Sequence, residues 1–150
     1  MTTHAHKRIT AGRVLISLAA ATTAVGPYLA DWNKTHIYNP AWPPHAKFHN
    51  AQTMSTGVAL GALTVYNIWN PNGNAKHNLK NGAAAAGMYW LTQISALAYP
   101  GTSAANDCEG GENDCEDGKK GRFPQAVVAL PSLAAVALGY ILERRRLKRL

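Results

Sequence analysis

The sequence predicts an all-α protein, a four-transmembrane-helix up-down bundle, and three observations carry that prediction. Four stretches contain no Asp, Glu, Lys or Arg: Val14–Ala30, Ala51–Trp69, Gly82–Tyr99 and Gln125–Leu142, of 17, 19, 18 and 18 residues. A helix crosses a hydrocarbon core with about 20 apolar residues, within a range of ~17–25. All 23 formal charges therefore fall in the ends and connectors, whereas a soluble bundle would scatter Lys and Glu along each outer helix face. Charged residues make up only 15 % of the chain, against ~25 % in ordinary soluble proteins. A mean hydropathy of −0.18 is low for such a protein. It follows from long polar connectors and from spans built of Ala, Gly, Ser and Thr rather than Leu and Ile.

The 150 residues are expected to form one integral membrane domain, residues 1–150. Residues 1–12 are a polar arm. The first helix covers about 14–30, and Trp32 suits the membrane interface beyond it. The basic start followed by an apolar run also resembles a secretory leader. That run is longer than a usual leader core and continues straight into the next segment, so a retained helix is expected. An outward loop, 31–42, follows. The second helix covers 43–69 and starts at Pro43 or Pro44, because a helix's first turn leaves N–H groups unpaired that proline does not have. Within it, Gly57-x-x-x-Gly61 suits close helix–helix approach.

Asn70–Gly82 is a turn-rich connector, and the third helix covers 82–99. Pro100 and Gly101 end it. A second outward loop, 100–124, leads to the fourth helix at 125–142, which contains Pro131. Gln52, Asn67 and Gln93 lie in lipid-length segments and are expected to face the bundle interior, since lipid supplies no hydrogen-bond partner.

Orientation follows from Lys and Arg in the connectors. The N-terminal arm carries Lys7, Arg8 and Arg13, the middle connector Lys76 and Lys80, and the C-terminal tail Arg144, Arg145, Arg146, Lys148 and Arg149. The two other connectors carry Lys34, Lys47, Lys119, Lys120 and Arg122 beside seven of the eight acidic residues. Both termini are expected in the cytoplasm, and the compact loops suit a bacterial plasma membrane. The net charge of +7 is thus a topology signal. Nucleic acid is not an expected partner, because no basic face with interleaved aromatics occurs. The charge-free runs hold no carboxylate, which argues against proton-coupled transport. No phosphate loop, nucleophile elbow or dinucleotide fingerprint is present.

Cys108 and Cys115, with six residues between them, lie among Gly, Asn and acidic side chains in the second outward loop. An oxidising exterior permits a disulfide there, worth roughly 2–3 kcal/mol by chain entropy. A calcium loop is the rival reading, but the ordered spacing of an EF-hand is absent.

The segment "DWNKTHIYNPAWPPHAKFHNAQT", Asp31–Thr53, concentrates three of six histidines, three of eight prolines and two of four tryptophans. If the second helix starts at Pro43 or Pro44, His45 and His49 are i, i+4 neighbours on one face. Gln52, Thr53 and Thr56 lie on or beside that face. Two histidines so spaced reach one metal ion, as in helical zinc sites. His36 can fold back across the proline-rich turn, and Asp31 can supply an oxygen ligand or orient an imidazole. His36, His45, His49 and Asp31 are therefore the candidate catalytic and metal-binding residues, for zinc, iron or copper. The plainer reading gives these residues to the membrane interface, where His, Trp and Tyr present an apolar body and a polar tip. Asn33, Asn39 and Asn50 then cap turns, and Lys34 and Lys47 meet lipid phosphates.

The same segment resembles the signature of an uncharacterised family of small four-helix membrane proteins from bacteria and fungi. Its pattern is similar to D-W-N-x-T-H-x-x-N-P-x-W-P-P-H-A-x-F-H-x-x-Q-T. The matching positions are Asp31, Trp32, Asn33, Thr35, His36, Asn39, Pro40, Trp42, Pro43, Pro44, His45, Ala46, Phe48, His49, Gln52 and Thr53. The resemblance implies the four-helix membrane plan over about residues 10–145 and implies no activity. The acidic cysteine loop is not part of the pattern.

Two functions stand on these residues. The first is a small membrane enzyme acting on a lipophilic small molecule at the outer interface. Its histidines hold a metal or act as acid and base, a role suited to a side chain that titrates near neutrality. The second is a non-catalytic module whose rigid loop binds a membrane lipid, a partner protein or a second copy of the chain as a homo-oligomer.

Overall fold

Thr10 opens the first helix. Its backbone is extended and its hydroxyl accepts the Arg13 N–H at 3.3 Å, which satisfies one of the donors a helix start leaves unpaired. The computed structural model describes residues 9–102 and 126–149. Over these, α1 runs Ala11–Asp31, α2 Pro44–Trp69, α3 Ala75–Ser95 and α4 Ala126–Lys148. A 3-10 turn, Ala96–Ala98, extends α3. The fold is all-helical, with four helices and no strand among the described residues. Cys108 and Cys115, with the disulfide expected between them, lie outside the described residues, as do His4 and His6.

Element ends follow local chemistry. Pro43, in extended conformation, precedes Pro44 at the first position of α2, where a missing N–H costs nothing. The third helix starts at Ala75 rather than at Gly82, because the Asn74 side chain accepts the N–H groups of Lys76 and His77 at 2.9 and 3.3 Å. Gly101 has φ +76°, a left-handed conformation that glycine adopts without strain. It follows the end of the α3 extension. The fourth helix continues through the basic tail to Lys148 rather than stopping at Leu142.

The helices close into a four-membered ring. α1 packs on α2 and α4, α2 on α3, and α3 on α4, with a lesser contact between α1 and α3 across the diagonal. Neighbours are antiparallel: the end of α2 meets the start of α1 through Trp69 Nε1, which donates to Ser17 Oγ at 2.9 Å. This is the up-down order expected for short connections.

Small residues let the backbones touch. A Cβ placed on Gly61 would lie 2.9 Å from the Ala20 carbonyl oxygen, and one on Gly57 would collide with the Thr23 carbonyl. Gly57-x-x-x-Gly61 is thus the α1–α2 contact. Pro27 makes the Gly57 contact intelligible. Lacking an N–H, it leaves the Thr23 carbonyl without its intrahelical donor, and Gly57 nests against that oxygen and the proline ring. At the opposite end Gly12 and Gly139 face each other across α1 and α4.

The interior is correspondingly made of small side chains. Ala19, Ala20, Thr23, Thr64, Ala85, Ala86 and Ala129 are buried, with Ile16, Met54, Ile68, Leu79 and Trp90 as the larger fillers. Large apolar side chains instead face outward on every helix, including Leu18, Val25 and Leu29 on α1, Val58, Leu63 and Val65 on α2, Met88 and Leu91 on α3, and Leu130, Leu138 and Ile141 on α4. Hydroxyls within the helices turn back on their own backbones. Thr22, Thr23, Ser55, Thr64 and Thr92 each donate to the carbonyl four residues earlier, at 2.8–3.0 Å. Two helices, Ala11–Asp31 and Val127–Lys148, are long and apolar enough to cross a membrane by length and composition. The other two, α2 and α3, do not reach that hydropathy.

Candidate functional site

The histidine-rich segment Asp31–Thr53 lies where α1 ends and α2 begins. Asp31 is the last residue of α1, and the Trp32 N–H still reaches the Tyr28 carbonyl. From there the chain turns on its own side chains. Asn33 Oδ1 accepts the Thr35 N–H at 2.9 Å, the Thr35 hydroxyl at 2.7 Å and the His36 N–H at 3.2 Å, while its amide donates to the Ala30 carbonyl. Asn39 repeats the device: Nδ2 donates to the Thr35 carbonyl at 3.1 Å and Oδ1 accepts the Ala41 N–H at 2.9 Å. Asparagine side chains commonly set turns in this way. Aromatic contacts fill the loop, with Tyr28 stacked on Trp32, Trp32 edge-on to Tyr38, and His36 edge-on to Trp42 at 5.1 Å.

Asp31 ties this loop to α2. Its Oδ2 accepts from Asn50 Nδ2 at 2.8 Å, across 19 residues, and its Oδ1 lies 3.8 Å from His36 Nε2. Both side chains of the Asp31–His36 pair are mostly shielded, at 15 and 17 % exposure. The Thr35 hydroxyl has two acceptors in reach, Asn33 Oδ1 at 2.7 Å and His36 Nδ1 at 2.8 Å. When it donates to Nδ1, the ring's own proton sits on Nε2, toward the aspartate. Asn50 Oδ1 is buried with no hydrogen-bond partner among the described residues.

His45 and His49 form a separate, exposed pair. Their Nε2 atoms are 3.0 Å apart, and His49 Nδ1 lies 3.4 Å from Gln52 Oε1. At that separation one ring nitrogen donates and the other accepts. Phe48, also exposed, packs edge-on to His49 at 5.5 Å. The four residues proposed for one site are thus brought together as two pairs, Asp31–His36 and His45–His49. Among the described residues no three His, Cys, Asp or Glu side chains are grouped to hold a metal ion. Of the polar residues expected inside the bundle, Asn67 and Gln93 are half-buried, while Gln52 is exposed beside His49.

A second polar cluster lies at the other end of the bundle. Glu143 on α4 is 3 % exposed. Its Oε2 accepts the Thr10 hydroxyl at 2.7 Å, and its Oε1 accepts Arg146 Nε and Nη2 at 2.9 and 2.6 Å. Arg13 Nε, on the 5 % exposed Arg13, lies 3.7 Å from the same Oε1. The Arg13 guanidinium also sits 5.2 Å from the Trp69 ring centroid, a cation–π contact. The sequence alone shows Arg13 and Arg146 as topology charges and not as parts of this clasp of α1, α2 and α4. The one available signal is Glu143 itself, the sole acid in a basic tail.

No curated protein and no solved structure matches the chain. A family model does, over residues 15–150, a span that takes in the Asp31–Thr53 loop and all but the first turn of the bundle. The chain belongs to the family of unknown function DUF6640.

Proposed function

We propose that the protein is a four-span membrane module whose loop at the α1–α2 end is a rigid cap on the non-cytoplasmic face. It binds a lipid or a partner protein there without catalysis. What carries this reading is where the loop's hydrogen bonds go. Asn33, Thr35 and Asn39 spend theirs within the loop, and Asp31 with Asn50 fastens it to α2. A loop so fixed presents Tyr38, beside Phe48, His45 and His49 on the first turns of α2, in one arrangement, and pre-ordering of that kind lowers the entropic cost of binding. The four-span reading is supported by the outward large apolar residues on all four helices around an Ala, Gly and Thr interior. That distribution suits lipid, where close packing of small residues rather than hydrophobic burial joins helices. The Lys and Arg distribution supports an orientation with both termini in the cytoplasm.

A second reading is favoured by the 3.0 Å His45–His49 separation. Two ligand nitrogens on one tetrahedral zinc stand about 3.3 Å apart, given bonds of ~2.0–2.1 Å. The pair therefore suits two positions of a zinc, iron or copper ion, with other ligands from a substrate or a partner, and would serve a His-dependent enzyme of lipophilic substrates. Elemental analysis of protein purified in mild detergent separates the two. Metal below one-tenth of an equivalent supports the cap. Near-stoichiometric metal that disappears in His45→Ala/His49→Ala overturns it in favour of the enzyme.

A further inference from the structure

At the end opposite the motif loop, the start of α3 and the end of α4 enclose a groove of about 250 Å³ lined by Lys76, Leu79, Tyr140, Arg144, Leu147 and Lys148. Three of the six are cations and none is an acid. No groove cation is paired with an acid within the described residues, where the Arg and Lys ion pairs are Arg13–Glu143 and Arg146–Glu143. The nearest acid in sequence, Glu143, is turned away and held by Thr10 and Arg146. Tyr140 carries the Arg144 guanidinium 5.9 Å from its ring centroid, which fixes one cation at the groove. Lys76 stands in the first turn of α3, where the helix dipole is already positive. The remaining wall, Leu79, Leu147 and the Tyr140 ring, is apolar.

We infer that this groove binds the phosphate headgroup of an anionic phospholipid, with the first part of an acyl chain against Leu79 and Leu147. The volume is below the ~300–1,000 Å³ of pockets that enclose whole small molecules, so the groove takes a headgroup rather than an entire lipid. Basic pockets between membrane helices on the cytoplasmic side suit such headgroups, because that leaflet carries the anionic lipids. The inference rests on the membrane reading and on the orientation given by Lys and Arg, and it assigns the inner rim a ligand distinct from whatever the outer loop binds.

The test has two stages. Membranes containing the full chain are first washed with alkaline carbonate: release of the protein sinks the membrane reading itself. Protein that stays is purified in mild detergent and titrated, by native mass spectrometry, with phosphatidylglycerol, with phosphatidylcholine of the same chains, and with inorganic phosphate. One phosphatidylglycerol is expected to be retained at least tenfold more tightly than phosphatidylcholine. Lys76→Gln/Arg144→Gln/Lys148→Gln should weaken it on the order of fivefold per charge removed. Lys80→Gln/Arg145→Gln/Arg149→Gln, which removes equal charge outside the groove, should not. Equal retention of the two lipids overturns the site, as does equal weakening by both triple variants or displacement of the lipid by an equal concentration of inorganic phosphate. If the groove variant does not fold, the comparison of the two lipids on the wild-type chain still decides.

Discussion

Gly12 on α1 and Gly139 on α4 occupy each other's side-chain space: a Cβ built on either would stand 2.7 Å from the carbonyl oxygen of the other. The two backbones touch there, immediately beside the Glu143 clasp. Gly12→Ala and Gly139→Ala should each lower stability by about 1–3 kcal/mol, the usual cost of overfilling a packed contact. Gly26→Ala is the control. Its nearest neighbour would be Thr22 Cγ2 at 3.9 Å, so it should be neutral or gain ~0.5–1 kcal/mol from helix propensity. Thermal unfolding in detergent reads all three.

Glu143→Gln should be costly. It leaves the nearly buried Arg13 and the half-buried Arg146 facing a neutral amide. Removing one partner from a buried ion pair costs ~3–5 kcal/mol, and partial exposure of Arg146 brings the expectation down to about 2–3 kcal/mol. Arg145→Gln, on the exposed neighbouring residue, should leave the unfolding midpoint unchanged.

The two halves of the motif loop should separate by mutation. Asn33→Ala deletes the acceptor of three hydrogen bonds and should cost ~1–2 kcal/mol, since the freed donors are partly shielded. His45→Ala/His49→Ala removes an exposed pair and should leave stability unchanged while abolishing whatever the loop binds. A loss of stability in the double variant equal to that of Asn33→Ala would show that the histidines, too, are structural.

Topology can be read with single cysteines in a chain whose Cys108 and Cys115 are changed to Ser. Lys34→Cys, exposed in the first loop, should react with a membrane-impermeant maleimide on intact cells. His77→Cys, exposed at the start of α3, should react only after permeabilisation. The reverse pattern would invert the assigned orientation.

The helix number was legible because charge avoids lipid-length runs, and Gly57-x-x-x-Gly61 was legible as a contact because both glycines lie on one helix face. The Gly12–Gly139 contact was not, since nothing in sequence links residues at opposite ends of the chain. The Pro27–Gly57 contact was not either, since nothing in sequence says which helix meets the carbonyl the proline frees. In the loop, the turn-setting use of Asn33 and Asn39 was readable from residue type, and the i, i+4 spacing brings His45 and His49 together. His36 turns instead toward Asp31, because Asn33 and Thr35 set its backbone and ring. The Asp31–Asn50 link and the Glu143 clasp needed the helices in place before any partner could be named.

The inside-small, outside-large arrangement of the bundle also bears on how this chain can diverge. If the outward faces meet lipid, as proposed, positions such as Leu18, Val58 and Leu130 can exchange freely among aliphatic types, because lipid asks only for greasiness. Inward positions such as Ala19, Gly61 and Ala86 cannot gain a methyl without pushing two backbones apart. Drift in relatives should therefore be bounded by volume within and, on the proposed membrane reading, by apolarity without, where a water-soluble protein would favour polar side chains.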